Sequence, residues 1–372
     1  MTEKQHIFDY TQTELIETCK ALGLAGFRAK QILEWVYTKF VSDPATMTNL
    51  SQKDRALISE HFSFEHGKII RHQLATDGTQ KLLIDWSLES HADENTTDTN
   101  PLQVLGQESP ESQTECVMIP SQNQSGTVRK TACISSQMGC PVGCKFCASG
   151  ISGLDGNLTA GQIVQQVWQL SRLPEVERIS NIVFMGMGEP LANFNAVLKA
   201  IKIINAPWGM GVGARKITVS TVGLPAQIKR LAKLELPVTL AISLHAPNDE
   251  IRRELIPWAE YVTIAQLLDA AHEYFEVSGR EITLEYILLG GVNDQPEHAR
   301  ELAKLAKQIR CNINLIRYNE VKGMPYTRPM DQDVLDFQQI LAATGINTHI
   351  RASRGRDIAA ACGQLRHEHA KS

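Results

Sequence analysis

The chain has 372 residues, 43% of them hydrophobic, and a formal net charge of -4. It is too long for one average domain and long enough to bury a sizeable core, so a large α/β domain with appendages is the first expectation. The mild acidity excludes a uniformly basic nucleic-acid binder, and any contact with RNA must run through local patches.

The first residues, MTEKQHIFDYTQTELIETCKALG, place charged and polar groups where an export signal keeps its apolar stretch. No run of about 18 apolar residues follows anywhere. A soluble, cytoplasmic protein with no membrane partner is expected. Eight cysteines at irregular spacing fit reduced thiols with cluster or catalytic duty better than a disulfide framework.

Residues 1–60 read as a small helical domain. Leu15, Leu22 and Leu24 precede the amphipathic stretch GFRAKQILEWVYTKF, in which Ile32, Leu33, Val36 and Phe40 share one face. Arg28, Lys30 and Lys39 lie on the other side; such a charged face is ordinarily just solvated, with RNA phosphates the less frequent partner. Residues 61–125 read as a strand-containing linker. Its segments KLLIDW and ECVMI flank a polar, acidic stretch poor in aromatics, expected to be a mobile insertion at about 87–114.

Over 126–352 short β-branched runs alternate with longer helical ones. TACISSQ, SNIVFMG, KITVST, VTLAISLH, ITLEYILL and INLIRYN are each followed by a helical stretch, giving six strand-plus-helix units before a last strand near THIRA. The pattern predicts an α/β fold of parallel strands, a partial (βα)6 barrel of TIM type, with residues 353–372 as a C-terminal tail.

Cys140, Cys144 and Cys147 form a C-x3-C-x2-C run in the loop after the first barrel strand, at the barrel end that carries active sites. Three thiolates bind three irons of a [4Fe-4S] cluster and leave the fourth iron open to another ligand, as the amino and carboxylate groups of S-adenosylmethionine (SAM) can be. A structural zinc site is the alternative, but zinc sites usually pair two such units, or add histidines, at a distance. After the next strand, Gly188 permits close backbone approach to a ligand and Glu189 offers a carboxylate to an ammonium group. Ser220, Ser243, His245 and Asn319 close later strands, so all converge on the cluster loop. Taken singly, each is as readily a helix cap or a packing residue.

The segments CISSQMGCPVGCKFC, FMGMGEPL, ISLHAPND and RGRDIAAACGQL together resemble the RlmN family of radical SAM methyltransferases, and the resemblance runs from GFRAKQI to ACGQL. It implies a partial six-unit barrel with an N-terminal RNA-binding domain. The implied activity is methylation of adenine C2 in 23S rRNA and in tRNA beside the anticodon, both exposed bases that a protein can stack and read. Cys140, Cys144 and Cys147 become cluster ligands, and Gly188, Glu189, Ser220, Ser243, Leu244, His245 and Asn319 contact SAM. Cys362 becomes the methyl carrier, Cys133 the thiol that resolves the covalent adduct through a disulfide, and Glu115 the proton acceptor. An electron donor such as flavodoxin and a monomeric state complete the expectation.

Apart from the resemblance, Cys133 reads as a small core hydrophobe and Glu115 as an exposed strand carboxylate. Cys362 reads as a thiol entering a helix N-terminus, where the dipole favours the thiolate. Cys19, Cys116 and Cys311 match no motif. The chain departs from the family pattern in its 87–114 insertion and in Arg317, where proline commonly precedes the aromatic-Asn pair. Three rivals remain: a Cfr-type adenine-C8 methyltransferase with the same cysteines, a glycyl-radical activase, and a non-catalytic RNA-binding protein with a structural metal site.

Overall fold

A computed structural model describes residues 4–87, 112–122, 126, 128–151, 153–234 and 236–365. All but the edges of the expected insertion lie outside the described residues.

The N-terminal part is helical. β1 (Gln5–His6) leads to α1 (Gln12–Ala21), which starts at Thr11 in a reciprocal cap: the Thr11 hydroxyl accepts from Glu14 N, and the Glu14 carboxylate accepts from Thr11 N at 2.7 Å. α2 (Arg28–Leu33) runs into a wide π turn, and α3 (Gln52–His61) ends in β2 (Phe62–Ser63), which pairs in parallel with β1. Leu15, Leu24, Ile32, Leu33 and Val36 are buried, as their spacing predicts. On the opposite face Arg28 is held by Asp54 at 3.0 Å and Lys39 lies over the Trp35 ring, which leaves Lys30 exposed.

One ten-stranded sheet organises the rest. Three strands, β3 (Lys68–Leu74), β4 (Gln80–Asp85) and β5 (Gln113–Gln122), pair antiparallel with one another, and β5 pairs antiparallel with β6 (Val128–Cys133). Beyond the short hairpin β7 (Gln137–Gly139) and β8 (Leu154–Asn157), the chain alternates helices with strands. It passes through α4 (Ala160–Ser171), β9 (Asn181–Phe184), α5 (Phe194–Asn205), β10 (Ile217–Thr221), α6 (Pro225–Ala232) and β11 (Thr239–Ser243). Two helices follow, α7 (Asp249–Leu255) and α8 (Ile264–Ser278), then β12 (Ile282–Leu288), α9 (Pro296–Ala306), β13 (Cys311–Arg317), α10 (Asp331–Ala343) and β14 (Thr348–Arg351).

From β6 through β9 to β14 all neighbours are parallel and in chain order, the open barrel that the alternation predicts. The linker strands extend the barrel's own sheet past β6. Apolar residues of the N-terminal helices and of the barrel share one core. Trp168 of α4 buries its ring there, donates Nε1 to the Val36 carbonyl at 2.8 Å and meets Phe8. Asp9 accepts from Gly161 N at the start of α4 at 2.6 Å. The helical part is thereby fixed to the first helix of the barrel.

Candidate active site

The C-terminal ends of the parallel strands surround a cavity of about 850 Å³ including its mouth. Cys140, Cys144, Cys147, Gly188, Glu189, Ser220, Ser243, His245 and Cys362 all line it.

The cysteine loop is shaped by tight backbone. Gly139 has φ +72°, and a Cβ there would fall 2.1 Å from the Gly153 carbonyl oxygen, so only glycine fits. Cys140 N donates to that same carbonyl at 2.7 Å, and Cys147 N donates to Cys144 O. The three thiols are free and partly buried. Burial pushes Cys140 up to about 12 and raises Cys144 and Cys147 as well. Three thiolates here would need a cationic group to offset that cost, as the iron of a cluster would. Among the described residues no three His, Cys, Asp or Glu side chains converge on one point as a single ion requires.

The strand ends supply polar groups. Gly188 has φ +99°, and a Cβ there would meet Gln137 N at 2.8 Å. The buried Glu189 accepts from Leu191 N and Val222 N at 2.9 and 2.8 Å, while burial raises its carboxyl to about 7. The Ser220 and Ser243 hydroxyls stand 3.3 Å apart. His245 adopts a left-handed φ of 58°, and its Nδ1 accepts from Ile287 N at 3.1 Å. Burial first, then the nearby Arg252, lowers this imidazole to about 3, so it is neutral and can donate from Nε2. Leu244 is buried behind the cavity wall, and its backbone N donates to Glu285 O. Asn319 donates to the Cys362 carbonyl at 3.4 Å, and its buried Oδ1 has no hydrogen-bond partner. Arg317 turns away to Asp331 at 3.0 Å and leaves Asn319 in place.

The tail closes the site. Gly363 O accepts from Ala148 N at 2.8 Å and Leu365 O from the Ser149 hydroxyl at 2.6 Å, so the cluster loop holds it directly. Cys362 lies in a turn, and no described helix begins there. The helix dipole expected at this thiol is therefore not found among the described residues. Arg351, at the end of β14, is drawn above its ordinary value chiefly by the charge of Cys362, then by Glu285 and Cys133, against the effect of burial. Cys133 ends β6 and packs with Val117, Met187, Ala360 and Leu365 beneath the tail. Burial, with Cys362 adding to it, pushes Cys133 up to about 12 while Arg351 works against that shift.

Glu115 departs from the bare reading of an exposed carboxylate. It is buried, and its Oε1 is 2.7 Å from Lys81 Nζ. Lys81, Glu285 and Arg351 are the polar residues the motifs did not reveal. Glu285 and Arg351 line the cavity and form an ion pair at 3.5 Å. The signal for Glu285 was its position as the one charge inside the apolar run ITLEYILL. Cys19 and Cys116 are core residues, and Cys311 donates its thiol to Ala306 O.

A protein of Rhodopirellula baltica named a probable dual-specificity RNA methyltransferase RlmN is 41% identical over 364 residues, covering 98% of this chain and 91% of the relative. The chain belongs to the RlmN family. The RlmN of Bdellovibrio bacteriovorus, named a dual-specificity RNA methyltransferase, is 42% identical over 97% of this chain and 83% of its own length. A radical SAM methyltransferase from Sphaerobacter thermophilus superposes with a TM-score of 0.87 at 39% identity, over 98% of this chain and all of that one. Residues 134–305 match the radical SAM superfamily, and residues 5–63 match the ribosomal RNA large subunit methyltransferase N-terminal domain. The chain is therefore a radical SAM enzyme of the RNA methyltransferase class, using a [4Fe-4S] cluster and SAM. No described helix is long and apolar enough to cross a membrane.

Proposed function

We propose that this enzyme methylates C2 of adenosine in 23S rRNA and in tRNA beside the anticodon, through a methyl group carried on Cys362 and at the expense of two SAM. One observation carries the reading: Cys362 opens onto the cavity of the three cluster cysteines, while Cys133 packs beneath the loop that holds it. A radical activase has no use for such a second thiol pair, and a structural metal site has none for the strand-end polar groups.

Adenine C2 has no nucleophilic character, so displacement at a SAM methyl group by the ring is closed and a radical route is required. Cys140, Cys144 and Cys147 would hold the cluster, which would supply the electron for reductive cleavage of SAM and so make hydrogen-atom abstraction possible. Gly188, Glu189, Ser220, Ser243, Leu244, His245 and Asn319 hold SAM: Glu189 faces its ammonium, and the free Oδ1 of Asn319 awaits a donor.

Cys362, as the thiolate, takes the methyl group of a first SAM and leaves S-adenosylhomocysteine. Loss of a hydrogen atom from that S-methyl group gives a carbon radical, which bonds to C2. The adduct then gives up one electron, which the oxidised cluster would take back, and loses the C2 hydrogen as a proton to Glu115. The Cys133 thiolate attacks the Cys362 sulfur; the S–S bond forms as the S–C pair passes to carbon, which takes a proton and becomes the methyl group. A thiol reductant restores the pair.

The helical residues 1–60 are assigned to RNA binding, 126–352 to the barrel and 353–372 to the methyl-carrying tail, with 61–125 between them. A monomer in the cytoplasm, reduced by a flavodoxin-type donor, completes the proposal. Nucleoside mass spectrometry of rRNA and tRNA from a deletion strain tests it. Loss of 2-methyladenosine from both, restored by the gene, is expected; loss of 8-methyladenosine would favour the Cfr-type reading.

A further inference from the structure

Lys81 and Glu115 lie on neighbouring strands whose register sets Lys81 opposite Val117 and Val117 opposite Cys133. The pleat therefore points Lys81, Glu115, Val117 and Cys133 to one face of the sheet, the face beneath the tail. Both charges are nearly inaccessible to water. An ion pair removed from solvent is costly unless further hydrogen bonds complete it, and apolar side chains would fill the space as well.

What completes this pair is the tail. Lys81 Nζ also donates to the carbonyl oxygen of Ala359 at 3.2 Å, three residues before Cys362, where the backbone turns through a left-handed φ of 50°. The turn between β3 and β4 grips the same loop twice more. Thr76 N donates to Asp357 Oδ2 at 2.9 Å, and Gly355 N donates to Asp77 Oδ2 at 3.0 Å. Both the β3–β4 hairpin and the tail fall outside the two matched family regions.

We propose that Lys81 is a positioning residue for methyl transfer, holding the Glu115 carboxylate and the Cys362 loop in one register so that proton acceptor and carbon donor address the same ring carbon. This rests on the roles given above to Glu115 and Cys362. An ammonium group directs its donors along fixed tetrahedral axes, so with one on Glu115 and one on Ala359 a shift of either partner is felt by the other. Removing the charge frees the loop and takes from the buried Glu115 the ammonium 2.7 Å from its Oε1, so that neither the carboxylate nor the tail is held in place by the other.

The test uses the full-length reconstituted enzyme with RNA, SAM and a chemical reductant, and measures methylated adenosine formed per 5'-deoxyadenosine released. The ratio is expected to fall roughly tenfold or more in Lys81→Met, as loss of a placed acid–base group does, and to recover in part in Lys81→Arg. The double variant Lys81→Met/Glu115→Gln, which removes both charges and the Ala359 tether with them, should couple less well than Glu115→Gln, which keeps that tether. Partial misfolding lowers both products together and leaves the ratio at the parent value, so a parent-like ratio in soluble Lys81→Met overturns the proposal. Should Lys81→Met fail to fold, the neutral double variant decides: a ratio well below that of Glu115→Gln supports the proposal, and an equal one overturns it. A parent enzyme that releases 5'-deoxyadenosine but never methylates adenosine refutes the proposed function itself, and this inference with it.

Discussion

The side-chain amide of Asn319, just past the end of β13, donates to the carbonyl of Cys362 at 3.4 Å while its own oxygen stays buried and unpartnered. One side chain thus holds the tail while keeping an acceptor in reserve. A buried acceptor without a donor is costly, and a ligand that brings one removes the cost. On the proposed roles, ligand binding and the Cys362 loop would be coupled at this residue.

Asn319→Ala is expected to weaken SAM binding by roughly tenfold, the order of one buried hydrogen bond, and to slow methylation of Cys362 in addition because the loop loses its tether. Equilibrium binding of SAM and the intact mass of the protein after one turnover separate the two effects. Binding and methylation both within twofold of the parent would remove Asn319 from the site.

The barrel was legible because each of its strands is a short apolar run followed by a helix of regular period, and the strand-end residues followed from knowing which end of such a barrel binds. Lys81 and Glu285 were not legible, and the reason is specific. β4 and β12 are buried along their whole lengths, so the alternation that tells one face of a strand from the other is missing, and a charge within them gives no direction. Glu115 looked exposed because nothing local announces that the tail covers its face. Cys362 looked like a helix start, whereas its turn is imposed by bonds to residues nearly three hundred positions earlier, such as Thr76 to Asp357.

The two mobile-sulfur roles predict opposite fates for two alanine variants. Cys133→Ala leaves Cys362 able to load a methyl group and to bond to RNA but removes the attacking thiol, so a covalent protein–RNA adduct accumulates. Cys362→Ala forms none, having no carrier. Denaturing electrophoresis of nuclease-trimmed complexes distinguishes them, and free methylated RNA from the Cys133 variant at the parent rate would rule out resolution by that thiol.

Arg351 should govern how fast the adduct resolves. Burial pushes Cys133 up to about 12, and Arg351 is the group that pulls it back, so the attacking thiolate is scarce at neutral pH and scarcer without the guanidinium. Arg351→Met is expected to accumulate the adduct at pH 7 and to lose part of it as the pH is raised toward 9, because the thiolate fraction grows with pH. Adduct yield followed across that range is the measurement, and a yield independent of pH would place the function of Arg351 elsewhere.

Acid should weaken the packing of the N-terminal part through a buried histidine pair. His6 is buried with its ring stacked on His66, centroids 3.8 Å apart. Burial, then the His66 charge, holds His6 well below its ordinary value, and burial lowers His66 to about 4. Unfolded histidines titrate near 6.5, so between that pH and about 4 the unfolded chain binds more protons than the folded one, and stability falls as pH falls. Above pH 7 both states carry neutral rings and the effect is absent. The neighbouring Asp9 carboxyl is raised by burial and works in the opposite direction, so the histidine contribution must be isolated by substitution. The melting temperature is expected to drop by several degrees from pH 7.5 to pH 5, and by less in His6→Phe/His66→Phe, where stacking is kept and titration removed. Equal drops in parent and variant would show that the histidine pair is not the source.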